Sequence, residues 1–80
     1  MNVGMLWYDN DPHTALTAKV IRAADYYRHK YGLSPNLCLV HPSMLDNRPD
    51  LVDGSAGKVA VRSNRTILPG HLWIGTEEKI

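Results

Sequence analysis

"HTALTAKVIRAADYYRHKY", residues 13–31, decides how this chain is read. Apolar side chains recur at Leu16, Val20, Ala23, Ala24, Tyr27 and Tyr31, the spacing that lays one stripe along one face of an α-helix. Arg28, His29 and Lys30 crowd the last turn, where cations complement the helix dipole. Gly32 follows as a residue that readily takes the left-handed conformation at a helix end. Upstream, Asp11-Pro12 reads as an N-cap followed by proline at the first helical position. The spacing predicts one continuous helix over 12–31, with Leu16, Val20, Ala24, Tyr27 and Tyr31 turned inward.

Such a helix needs a second layer to lie on, and its flanks supply strands. "VGMLWYD", residues 3–9, is apolar at consecutive positions from Met5 to Tyr8 and reads as a buried strand. After a Ser34-Pro35-Asn36 turn, "LCLVH", residues 37–41, is a second strand. "KVAVRS", residues 58–63, alternates around Val59 and Val61, and "HLWIG", from His71, is a fourth. Residues 42–57 hold two prolines, two glycines and four Asp or Asn, a loop composition. Residues 64–70 read as irregular, with a turn at Pro69-Gly70. The order is β-α-β-β-β, and a right-handed crossover makes the first two strands parallel. The expectation is one domain over residues 1–80: a small two-layer α/β (α+β) sandwich, one long helix on a mixed four-stranded sheet.

Composition narrows the function classes. The chain has 80 residues, 44% of them hydrophobic and 21% charged, ordinary values for a small globular domain. Its net charge of +1 exerts no global pull toward nucleic acid or membrane. Cys38 is the single cysteine and sits in an apolar run, so it reads as a buried thiol in a reducing compartment. The first residues lack a basic leader and a long apolar stretch, and no window reaches the roughly 20 apolar residues of a membrane span. A cytoplasmic location is expected.

Several motifs could carry chemistry. In "LWYDNDPHT" a strand runs into Asp9-x-Asp11, which partly resembles the haloacid dehalogenase-like signature. That resemblance implies a first carboxylate that attacks phosphorus and a second that handles protons. The sequence departs from it at His13, where threonine or valine belongs, with Thr14 one place late. His13, His29, His41 and His71 have no short metal-motif spacing; His41 and His71 would share one end of the sheet if their strands are antiparallel neighbours. Ser43 and His41, two apart around Pro42, read as a turn rather than a nucleophile with its base. No residues are assigned to catalysis, to a metal or to a cofactor. A small hydrolase or metal protein built on Asp9, Asp11, His41 and His71 is the least favoured class, and a small-molecule ligand stays unassigned.

Two binding surfaces remain. Lys19, Arg22, Tyr26 and Lys30 recur at helical spacing, and the helix carries four Lys or Arg against Asp25 alone. Cations neutralise phosphates and tyrosine stacks on bases, so this face is a candidate nucleic-acid surface. The other surface follows from a mismatch: most of the strands are apolar on both sides, yet one helix covers only one side. Parity groups Met5, Trp7 and Asp9 against Leu6 and Tyr8, Leu37, Leu39 and His41 against Cys38 and Val40, and His71 and Trp73 against Leu72 and Ile74. The small and aliphatic sets suit the helix side. That assigns Trp7, Leu39, His41 and Trp73 to the open side, as the contact of a symmetric homodimer. The competing cover is the 42–57 loop, with Met44, Leu45 and Leu51 folded over the tryptophans. The sequence therefore points to a non-enzymatic protein-interaction module that self-associates, with nucleic-acid binding as the alternative.

Overall fold

The computed structural model describes residues 3–45, 51–54 and 57–77. Its elements are β1 (Val3–Tyr8), α1 (Leu16–Tyr31), β2 (Leu37–Val40), a short 3-10 turn at Pro42–Met44, β3 (Leu51–Gly54), β4 (Gly57–Ser63) and β5 (His71–Thr76). One helix lies on one mixed sheet of order β1-β5-β2-β4-β3. The four expected strands stand side by side, and β3 adds a fifth at the edge. It lies inside the segment read as loop and pairs antiparallel with β4.

β1 and β2 are parallel, as the crossover requires, but they do not touch. β5 lies between them and pairs antiparallel with each. On its other side β2 pairs parallel with β4. Asn36 ties the start of β2 to both neighbours: its amide N–H donates to Gly75 O and its carbonyl accepts from Ala60 N, each at 2.9 Å. Its side-chain oxygen also accepts from Glu77 N at 2.8 Å. At the far end the Asn64 N–H donates to Val40 O at 2.8 Å as the chain leaves β4.

The helix ends as expected and begins late. Gly32 has φ 71°, and its N–H donates to Arg28 O at 2.8 Å. At the other end α1 starts at Leu16, after an extended Ala15 that offers no side-chain cap. Asp11 caps a tight turn instead: Oδ1 accepts from His13 N at 2.9 Å and Oδ2 from Thr14 Oγ1 at 2.6 Å. Aspartate followed by proline suits the first two positions of a type I turn as well as a helix start, and here the turn wins.

Beneath the helix, Leu16, Val20, Ala23, Ala24 and Tyr27 meet Cys38, Val40, Val52, Val59, Val61, Leu72 and Ile74 in one buried cluster. Tyr31, expected in the stripe, is instead exposed at the last turn, with its ring 4.7 Å from that of Tyr27. The helix-side rows of β2, β4 and β5 are small and aliphatic, which lets the helix approach closely.

Candidate interaction surface

The register fixes which side chains share each face of the sheet. Trp7 stands opposite Leu72 and Met5 opposite Ile74, so both lie on the helix side. There they pack against the core cluster, and Trp7 meets the Tyr26 ring at 5.1 Å between centroids. The assignment of Trp7 to the open face is therefore corrected. β1 is apolar on both parities, so alternation alone could not say which half faces inward. The Trp7 indole N–H is buried with no hydrogen-bond partner among the described residues, a local cost to the fold.

The open side carries Leu6, Trp73, Leu39 and Arg62 as one row across four strands. Beside it runs a second row of Tyr8 and His71, whose rings meet at a tilt of 52° with centroids 4.8 Å apart. Leu6 is 63% exposed and Tyr8 60%, while Leu39 and Trp73 are half-buried. Trp73 lies over Gly4 of β1, where its ring takes the space a side chain would need. Leu6 and Tyr8 were not singled out from sequence; their place on an edge strand was the missing signal. Met44 and Leu45, proposed as a cover for this face, pack against the helix-side core. The Leu51 side chain and residues 46–50 lie outside the described residues.

His41 sits just past the end of β2, half-buried, as the cap of the 3-10 turn. Its Nδ1 accepts from Ser43 N at 3.1 Å and is 2.8 Å from Ser43 Oγ, so the hydroxyl donates to it. The turn read at Pro42 forms, and it folds Ser43 back onto the His41 ring. Nothing among the described residues hydrogen-bonds the far nitrogen of His41 to orient it as a general base. β2 and β5 are antiparallel neighbours, so His41 and His71 do share one end of the sheet. Among the described residues no group of three or more His, Cys, Asp or Glu side chains converges on a metal-sized point.

Asp9 and Asp11 are absorbed by the loop between β1 and α1. Asp9 Oδ1 accepts from Asp11 N at 3.1 Å, and Lys19 Nζ donates to Asp9 O at 3.0 Å. Thr14 holds the Asp11 carboxyl below its ordinary range, with the His13 amide assisting. A cavity of about 310 Å³ opens here, lined by Asp11, Thr14, Leu16, Lys19, Ser43 and Met44 among others. Each of its charged groups and both hydroxyls already bonds a protein neighbour.

On the helix, Arg22, Tyr26 and Lys30 are exposed, and Lys30 lies over the Tyr31 ring at 5.4 Å. Lys19 is only 8% exposed, with its ammonium turned into the loop, so it drops out of the basic row. The row flanks the apolar stripe, as the Tyr26–Trp7 contact shows. Among the described residues no helix is long and apolar enough to cross a membrane. No family model, curated protein or solved structure matches this chain.

Proposed function

We propose that this protein is a non-enzymatic interaction module that binds a second copy of itself through the open face of its sheet. The carrying observation is the row Leu6–Trp73–Leu39, which the helix does not cover and from which Met44 and Leu45 turn away. Residues on such a face gain by burial, about 25 cal/mol per Å² of apolar surface. Strands about 4.8 Å apart and four to seven residues long make a five-stranded face roughly 20 Å on each side. That plan area is about half of the roughly 800 Å² per partner typical of a stable complex, and ridging by side chains raises the surface it can bury. His41 belongs to its margin, whereas Trp7, on the helix side, takes no part in it. A reducing compartment such as the cytoplasm suits a chain with one buried thiol.

Nucleic-acid binding is the weaker alternative: it keeps Arg22, Tyr26 and Lys30 but loses Lys19. Sedimentation at micromolar concentration tests the main reading. The parent should run above its 9.0 kDa chain mass, and Leu39→Arg should lower that mass by breaking the face contact. A parent that stays at 9.0 kDa while gel shifts with single-stranded DNA or RNA fade with salt would replace self-association by the alternative.

A further inference from the structure

β1 ends the row of described strands, so one side of its backbone faces away from the sheet. The direction can be assigned residue by residue. Asp9 N donates to Gly70 O at 2.9 Å, extending the β1–β5 ladder by one position. Antiparallel pairing alternates, so Trp7 and Met5 also direct their N–H and C=O groups toward β5. Gly4, Leu6 and Tyr8 therefore direct theirs outward.

This edge lacks the usual devices against pairing. Val3–Tyr8 contains no charged residue and no proline. β3, at the other edge, is only four residues long and carries Asp53. Apolar surface also flanks β1 on both layers: Leu6 and Tyr8 on the open side, and Tyr26, 50% exposed, against Trp7 on the helix side.

We infer that β1 pairs antiparallel with β1 of a second copy, centred on Leu6, joining two five-stranded sheets into one. The strand is self-complementary in that register. Leu6 meets Leu6, Gly4 meets Tyr8, and the outward groups form about six N–H···O bonds around a two-fold axis. No charge opposes its own copy within the paired stretch. A strand about 20 Å long in a protein two layers thick offers an edge of roughly 400 Å² per partner, below the usual size of a stable complex, so this contact rests on its backbone hydrogen bonds. Edge pairing is thus a second and weaker contact that does not rest on the face contact. The two together, about perpendicular two-fold axes, close a tetramer of two stacked sheets.

Amide hydrogen exchange on the parent protein reads the edge directly. At high concentration the Leu6 and Tyr8 amides should exchange at least about tenfold more slowly than on dilution, while Trp7 stays protected throughout. Leu6→Pro removes an outward N–H without touching the β5 ladder and should abolish that dependence, whereas Leu6→Ala should keep it. In a Leu39→Arg background, which lacks the face contact, the mass should remain twice 9.0 kDa and fall to 9.0 kDa once Leu6→Pro is added. Fast exchange at Leu6 and Tyr8 in folded parent at every concentration overturns the inference, even if Leu39→Arg lowers the mass and the face contact stands. Concentration-dependent protection with no effect of Leu39→Arg would leave the edge standing and remove the face.

Discussion

The indole of Trp73 on β5 occupies the space above Gly4 on β1, so that a methyl group at Gly4 would overlap its Cζ2 and Cε2 atoms. The large ring and the absent side chain are one unit: Trp73 covers backbone that glycine leaves bare, and glycine gives the ring room to lie down. Gly4→Ala should force the ring outward and destabilise the domain by about 1–3 kcal/mol. A urea midpoint equal to that of the parent, with an unchanged tryptophan emission maximum, would show that the ring does not depend on the glycine.

The core beneath α1 has little to spare. Val20 is fully buried there, and Val20→Asp places a carboxylate in a cluster that, among the described residues, offers no cation to pair it. The cost should be several kcal/mol, comparable with the whole stability of a small domain. Loss of the cooperative melt and of the far-ultraviolet helix signal is the expected outcome.

Cys38 is fully buried on the helix side of β2, and desolvation pushes its thiol up to about 12 from an ordinary 9.0. Native protein should react with a disulfide reagent only as fast as it opens, so added urea should accelerate labelling steeply. Because the folded state holds this proton more tightly, its contribution is complete below about 9 and lost as pH rises toward about 12. Cys38→Ser should not show that particular alkaline loss. Equal alkaline melting of both proteins would locate the sensitive group elsewhere.

Asp11 offers a titration at the other extreme. Thr14 Oγ1 and the His13 amide favour its ionised form, so the turn's contribution is present above the ordinary value of 3.8 and is lost as pH falls through the lowered one. In Thr14→Val the Asp11 carboxyl should titrate closer to 3.8, visible in the pH dependence of its carboxyl carbon shift. No movement would mean that the hydroxyl does not act on the carboxylate.

Much of this was legible in the order of residues. The stripe from Leu16 to Tyr27, the Gly32 stop and the inward sets Cys38–Val40 and Leu72–Ile74 follow from spacing, because one face of each is small enough to sit under a helix. Three things were not legible, each for a physical reason. Asp11-Pro12 serves a turn and a helix start equally well, so the helix beginning was misplaced. The all-apolar run Met5–Tyr8 hides its own parity, which placed Trp7 on the wrong side. β3 shares its composition with loops, since Asp53 and Gly54 are poor strand residues held there by pairing with β4. The site suffered most from the second of these, because the exposed half of β1 is Leu6 and Tyr8.

The insertion of β5 between β1 and β2 has a consequence for how the molecule comes into being. A chain made only as far as Pro69 holds the helix, β2, β3 and β4, but among the described strands none that pairs with β1. The strand that completes the hydrogen-bonded row arrives after every other strand, and its partners on β1 lie some seventy positions earlier. Closing so long a loop before its contacts reward it slows folding and leaves β1 unpaired during synthesis. Assembly should therefore switch on late and abruptly, with β5 as the clasp.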